Sequence, residues 1–277
     1  MSRRCVPAAR RPVVRALIGG LLLAGVAACG GDNADGAARH GEGQQVRVAA
    51  ASSLNFALDA LVTEFERRHE NVDVAVSYGS SGGFFAQLRN RAPYDMFFSA
   101  DRTYPQRLAD EGLTRGGAFG YATGRLVLWA PESAGLDVSG RGAGVLTDRA
   151  VDRVAVANPR LAPYGSAAVA ALKHFGAYSA VRPHLVYGED VAQTAEFART
   201  GAADVGLLAR SITESPALRA GGDGWLIPQQ AHPPIRHAAV TTEWVRSPGA
   251  AQRFRAFVLG ERGQAVLARY GFDRPAG

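Results

Sequence analysis

The chain has 277 residues, of which 47% are hydrophobic and 20% charged, a composition that fits one large or two ordinary folded domains and excludes a disordered or fibrous chain. The formal net charge of +6 comes mostly from residues 1–28, which hold five arginines and no acidic residue, so that 26 basic residues stand against 25 acidic ones in the remainder. This balance excludes net charge as an argument for nucleic-acid binding, and no nucleic-acid partner is predicted.

The first 28 residues have the pattern of a secretory signal peptide. A basic segment, "MSRRCVPAARRPVVR", precedes the apolar run "ALIGGLLLAGVAA", which is too short to span a bilayer comfortably. The run ends in "VAAC", and small residues directly before Cys29 resemble the cleavage box of bacterial lipoproteins. This resemblance implies a lipid on Cys29 that anchors the exported chain to a membrane. An ordinary signal peptide with a chance cysteine is the alternative.

Residues 29–45 are predicted to form a flexible tether, because they are polar and rich in glycine. Cys5, the other cysteine, is removed with the signal peptide, so a disulfide bond or a thiolate metal site is not expected in the mature chain. The six histidines show no metal-ligand spacing such as HExxH, and no site for a free metal cation is predicted.

From Val46 onward, short apolar strands alternate with helical patterns. Leu54, Leu58, Leu61 and Phe65 recur at helical spacing and predict the buried face of the first helix. The predicted strands are "VRVAAA", "VDVAVSY", "YDMFFSA", "RLVLWA", "DRVAVA", "HLVY" and "ADVGLLA". This alternation predicts an α/β fold with mostly parallel sheets.

Small polar segments stand where a strand gives way to a helix. They are "AASS" (50–53), "GSSGG" (79–83), "NPRLAPYGS" (158–166) and "GEDVA" (188–192). Such a joint leaves the first N–H groups of the helix without partners, at the positive end of the helix dipole, where an anion can satisfy them. Because the carboxyl ends of parallel strands meet at one edge of a sheet, "AASS" and "GSSGG" are predicted to form two halves of one oxyanion cradle, and the two later joints are candidates to complete it. The alternative for each serine is an ordinary helix N-cap.

The joints, read together, resemble the molybdate-binding proteins of ABC importers, the ModA family. The stretches "VAAASSLNFALDAL", "SYGSSGGFFAQLRNRAPYDMFFSAD", "NPRLAPYGSAAVAAL" and "GEDVAQTAEFARTGAADVGLL" stand in that family's order and spacing. The resemblance implies a two-domain periplasmic-binding-protein fold of class II with a ligand cleft between the domains. It places domain 1 at 46–124 plus 237–277 and domain 2 at 125–236.

The resemblance also assigns anion-binding residues. Ser52, Ser53 and Ser81 match positions that offer hydroxyl groups, whereas Tyr164 and Val191 match positions that offer mainly a backbone N–H. Many members add a tyrosine where this chain has Ala209, within "GLLARSI". This departure implies a ligand set like that of the family branch without the tyrosine.

The implied function is that of a monomeric lipoprotein that captures molybdate, and tungstate as well, and delivers it to an ABC permease in the cytoplasmic membrane. No cofactor and no catalysis are implied. A binding protein for sulfate or phosphate is the alternative within the class. A secreted serine hydrolase using Ser53 or Ser81 is a further alternative, disfavoured because neither serine lies in a "GxSxG" motif.

Overall fold

The computed structural model describes residues 44–275. The predicted signal peptide (1–28), the predicted lipidation site Cys29 and residues 30–43 of the predicted tether lie outside the described residues. Within the described range, no helix combines the length and the apolar character needed to cross a membrane.

Residues 44–275 contain ten strands and eleven α-helices. The strands are β1 (Gln44–Ala51), β2 (Val72–Gly79), β3 (Met96–Ser99), β4 (Phe119–Gly124), β5 (Leu126–Pro131), β6 (Val154–Ala157), β7 (Leu185–Gly188), β8 (Val205–Ala209), β9 (Gly222–Leu226) and β10 (Ile235–Thr241). The helices are α1 (Asn55–Glu66), α2 (Ser81–Arg89), α3 (Thr103–Asp110), α4 (Val138–Arg141), α5 (Pro163–His174), α6 (Tyr178–Val181), α7 (Val191–Arg199), α8 (Arg210–Thr213), α9 (Pro216–Ala220), α10 (Pro248–Leu259) and α11 (Glu261–Arg269). All seven predicted strands are present.

The first sheet has the strand order β2-β1-β3-β10-β4. Successive residues of a strand point to opposite faces, and both faces of this sheet are covered. Val48 and Phe98 pack with α1, α10 and α11 on one face, whereas Ala49 and Phe97 pack with α2 and α3 on the other. The apolar positions predicted for the first helix are buried here. We call these five strands, together with α1–α3, α10 and α11, the first lobe.

The second sheet has the order β7-β6-β8-β5-β9. Its core is a continuous cluster of buried apolar side chains that includes Trp129, Val156, Leu172 and Leu207. Helices α5 and α7 pack on the strands β6 and β8. We call β5–β9 with α4–α9 the second lobe.

The two-sheet α/β architecture agrees with the prediction, but the expectation of mostly parallel sheets is not met. Half of the pairings between the ten described strands are antiparallel: β10 with β3 and β4, and β5 with β8 and β9. The parallel pairings are those of β1 and β6 with their neighbours. The sequence pattern missed β4, β9 and β10 because no helix separates β4 from β5 or β9 from β10, so strand–helix alternation does not reveal them.

The chain passes from the first sheet to the second between Gly124 and Leu126 and returns before Ile235. The predicted domain boundary at 124/125 falls in the first passage. The predicted return at 236/237 falls inside β10, which belongs to the first sheet from Ile235 onward. Ile235 also packs into the core of the second lobe, so contacts alone do not fix the limits, and the domain boundaries stay a prediction.

Candidate functional site

The four predicted joints meet at a single small cavity between the lobes. It lies where β1 and β2 of the first lobe end, opposite the starts of α5 and α7 in the second lobe. Its volume is about 10 Å³, roughly the room that one water molecule needs. The lining residues are Ala51, Ser52, Ser53, Gly79, Ser80, Ser81, Ala100, Ala162, Pro163, Tyr164, Asp190 and Val191. All five residues predicted to bind an anion are among them; their role as ligands stays a prediction.

The two serines of the second joint have different roles: one caps a helix and the other presents its hydroxyl to the cavity. Ser80 is the N-cap of α2, and its Oγ accepts the Gly83 N–H at 3.3 Å. Ser81 begins that helix, and its Oγ accepts the Ala100 N–H at 3.0 Å, which leaves its hydroxyl proton free to donate. The N-cap alternative is therefore correct for Ser80 but not for Ser81.

The first joint contains a 3-10 turn, Ser52–Leu54, between β1 and α1, and neither serine caps a helix. Ser52 Oγ accepts the Ala192 N–H of the second lobe at 3.4 Å. Ser53 is 1% exposed, and its Oγ has no hydrogen-bond partner within residues 44–275. A buried hydroxyl without a partner is costly, by about 1–3 kcal/mol, and therefore needs an explanation.

The second lobe contributes the starts of two helices. Pro163 occupies the first position of α5, and Tyr164 follows it. Asp190 caps α7, with its Oδ1 accepting the N–H groups of Ala192 at 2.9 Å and Gln193 at 3.0 Å, as predicted. The hydrogen bonds found in the described part of the chain include none donated by the backbone N–H of Tyr164 or Val191.

The polar atoms around the cavity are mainly uncharged hydrogen-bond donors. Among residues 44–275, no lysine, arginine or histidine lines it, and Asp190 is the one carboxylate that does. The starts of α2, α5 and α7 point their positive dipole ends toward the same space. Arg210, which the sequence placed beside the missing tyrosine, instead pairs with Glu214 at 3.2 Å and does not line the cavity. The arrangement suits a small anion.

Direct contacts join the two lobes around the cavity. Gly82 N donates to the Leu161 carbonyl at 2.8 Å, and Ser211 Oγ donates to the Ser53 carbonyl at 2.6 Å. The sequence placed Gly82 in the second joint but predicted no contact between the lobes for it, and it assigned no role to Ser211. A sequence signal that could have drawn attention to Ser211 is the stretch "GLLARSI", which departs from the ModA pattern. Ala209, two residues before Ser211, stands there in place of a tyrosine.

Residues 46–273 match the profile of a protein family described as "bacterial extracellular solute-binding protein". The chain belongs to this family of solute-binding proteins. The family is not a class of enzymes, and its extracellular setting agrees with the predicted export.

Two relatives of this solute-binding protein carry the name molybdate-binding protein ModA. That of Azotobacter vinelandii is 35% identical over 229 residues, covering 82% of this chain and 89% of the relative. That of Rhodobacter capsulatus is 35% identical over 231 residues, covering 81% and 87%. The predicted resemblance to the ModA proteins is confirmed.

Solved structures confirm the fold of this solute-binding protein. The Azotobacter vinelandii periplasmic molybdate-binding protein matches with a TM-score of 0.78 and 31% identity, over 83% of this chain and 100% of that one. The sulfate-binding protein SubI of Mycobacterium tuberculosis matches with a TM-score of 0.66 at 18% identity, over 84% and 87% of the two chains, which shows a shared fold alone.

Proposed function

We propose that this solute-binding protein captures molybdate, and tungstate equally, and delivers it to an ABC import permease in the cytoplasmic membrane. It acts as a monomer, without a cofactor and without changing its ligand. A lipid on Cys29 holds it at the membrane after export. The anion is bound by the hydroxyls of Ser52, Ser53 and Ser81 and by the backbone N–H groups of Tyr164 and Val191.

The observation that carries this proposal is a buried set of donors without acceptors. Ser53 Oγ lacks a partner within residues 44–275, and the N–H groups of Tyr164 and Val191 donate to no acceptor there. A dianion in the cavity satisfies all of them at once. Each hydrogen bond to a charged partner contributes about 1.5–3 kcal/mol, so several together give tight binding.

The chemistry of the donors favours a fully ionised oxyanion. Molybdate carries no proton at neutral pH, so it needs donors only, whereas phosphate keeps a proton for much of the time and needs an acceptor. The nearest carboxylate, Asp190, is engaged by two N–H groups at the start of α7. Sulfate has the same charge as molybdate but shorter bonds, so we expect the size of the closed cavity to discriminate against it.

Binding requires the lobes to move apart and close again. In this arrangement the cavity has a volume of about 10 Å³, less than a tetrahedral oxyanion occupies, so the lobes must part and then close around the anion. The two connections at Arg125 and at 227–234 are the natural hinge, because the chain changes sheets there. The anion stabilises the closed arrangement, since it contacts both lobes only in that form.

A calorimetric titration of the protein lacking residues 1–29 tests the function. We expect binding heat with molybdate and with tungstate, and none with sulfate or phosphate at the same concentrations. Heat with sulfate or phosphate and none with molybdate would overturn the proposal. Hydrolysis of an ester substrate that is lost in Ser53→Ala or Ser81→Ala would instead revive the hydrolase alternative.

A further inference from the structure

Three aromatic side chains form a buried chain of hydrogen bonds beside the anion cavity. Tyr121 of β4 and His237 of β10 belong to the first lobe, and Tyr164 of α5 belongs to the second; their exposures are 0%, 1% and 2%. Tyr121 Oη donates to the Ser99 carbonyl at 3.1 Å and lies 3.1 Å from His237 Nδ1. Tyr164 Oη lies 3.4 Å from His237 Nε2.

The hydrogen-bond pattern fixes the direction of this chain. The Ser99 carbonyl can only accept, so the Tyr121 hydroxyl proton is used there and the Tyr121 oxygen accepts from His237 Nδ1–H. Nε2 is then the acceptor and the Tyr164 hydroxyl is the donor. Burial lowers the pKa of His237 to about 3, which keeps the imidazole neutral. Burial also raises the pKa of Tyr164, so the phenol keeps its proton.

Gly124 makes room for the contact between the lobes. A Cβ atom at this position would overlap the Tyr164 hydroxyl and would lie 2.9 Å from His237 Nε2. Gly124 and His237 therefore form a socket in the first lobe that admits the Tyr164 ring from the second. The ring also contacts His237 edge-on, with the centroids 6.0 Å apart.

The socket acts on the anion cavity through the backbone of Tyr164. This residue stands at the second position of α5, where its N–H is free of acceptors in the described part of the chain. A side chain seated in the opposite lobe fixes where that N–H points. The hydroxyl, turned toward His237, is at the same time kept from donating to the anion.

We propose that His237 is a positioning residue for anion binding: it seats the Tyr164 phenol when the lobes close and thereby sets the Tyr164 N–H against the anion. This inference rests on the proposed function. It predicts that the bond between the two side chains stabilises the closed, anion-bound form and contributes little to the folding of either lobe.

The test compares Tyr164→Phe with Tyr78→Phe in the full-length mature protein. Tyr164→Phe removes one hydroxyl from the socket, whereas Tyr78→Phe removes one that bonds Asp59 at 2.6 Å within the first lobe. Molybdate association and dissociation rates are followed by tryptophan fluorescence, and thermal unfolding is measured without ligand. For Tyr164→Phe we expect molybdate to dissociate about three- to tenfold faster, because one hydrogen bond is lost. The association rate and the unfolding temperature should be unchanged. For Tyr78→Phe we expect unchanged dissociation.

His237→Phe and the double variant with Tyr164→Phe complete a mutant cycle. If the two side chains act through one bond, the double variant dissociates no faster than His237→Phe alone. Gly124→Ala provides a further variant, because it fills the socket without removing a hydrogen-bonding group, and we expect it to weaken molybdate binding as well. Wild-type dissociation in Tyr164→Phe, or additive effects in the cycle, would overturn the inference. Failure of the wild-type protein to bind molybdate would instead reject the proposed function.

Discussion

Ser53 and Ser80 show that the same residue type in similar sequence contexts has different structural roles. Both are buried serines in doubled pairs at strand–helix joints. Ser80 has an extended backbone at the N-cap position, so its hydroxyl accepts from Gly83. Ser53 lies inside a 3-10 turn and caps no helix, and its Oγ has no acceptor or donor among residues 44–275. Backbone conformation, not residue type, separates the two roles.

Ser53→Ala is expected to weaken molybdate binding without destabilising the free protein. The variant loses a hydrogen bond to a dianion, which contributes about 1.5–3 kcal/mol, or roughly a 10- to 150-fold change in affinity. It also removes a buried hydroxyl that has no partner within the range 44–275, so the unfolding temperature of the ligand-free protein should stay the same or rise. Calorimetric titration and thermal unfolding measure the two effects.

Ser215→Ala is the matched control for this prediction. Ser215 is also 1% exposed, and its Oγ has no hydrogen-bond partner in the described part of the chain, but it lies before α9 and does not line the cavity. We expect the same small effect on thermal unfolding and no effect on molybdate affinity. Equal loss of affinity in both variants, or none in Ser53→Ala, would contradict a ligand role for Ser53.

At the scale of elements, the start of α2 comes very close to the segment before α5. The Gly82 N–H bonds the Leu161 carbonyl at 2.8 Å, and a Cβ atom at Gly82 would lie 2.9 Å from that oxygen and 3.0 Å from Leu161 Cα. This approach joins the two lobes at the rim of the cavity. A side chain here would have to push α2 and α5 apart.

Gly82→Ala is therefore expected to block full closure and to lower molybdate affinity by at least tenfold, about 1.4 kcal/mol. The ligand-free protein should remain as stable as the wild type, because alanine is favoured over glycine in a helix. Titration calorimetry measures the affinity. Gly117→Ala is the control, since a Cβ there meets nothing within 4 Å. Wild-type affinity in Gly82→Ala would show that the approach is not needed for binding.

At the scale of the whole molecule, buried histidines make folding stability depend on pH. Burial lowers the pKa of His237 from 6.5 to about 3, and burial also lowers that of His232. Below pH 6.5 the unfolded chain binds protons that the folded protein does not. The contribution of the neutral histidines to the free energy of unfolding is therefore fully present above pH 6.5. It is lost as the pH falls toward 3, by about 1.4 kcal/mol per pH unit for His237.

Urea denaturation at several pH values from neutral to mildly acidic measures the slope of the free energy of unfolding against pH. His237→Gln should flatten it, leaving the part due to His232. Asp95 does not obscure the result: burial alone would raise its pKa, but hydrogen bonds from Arg246 and the Arg47 N–H lower it below 3.8, so its contribution is lost only in a more acidic range. An unchanged slope in His237→Gln would show that His237 does not cause it.

The sequence alone determined the strand–helix units and the residues at their joints. Apolar periodicity is a local property, so it revealed β1 and α1 with their buried positions, and small polar residues marked the joints that line the cavity. The resemblance to the ModA proteins then singled out Ser52, Ser53, Ser81, Tyr164 and Val191, whose binding role awaits the titrations above.

Only the tertiary structure decided how the two lobes meet. The strands β4, β9 and β10, and the antiparallel pairing of the predicted strand β5, follow from the chain crossing between sheets, which leaves no periodic signal. The socket of Gly124 and His237 joins residues more than a hundred positions apart and receives Tyr164 from the opposite lobe. Such contacts depend on the distance between folded surfaces, and a one-dimensional pattern of polarity does not contain that distance.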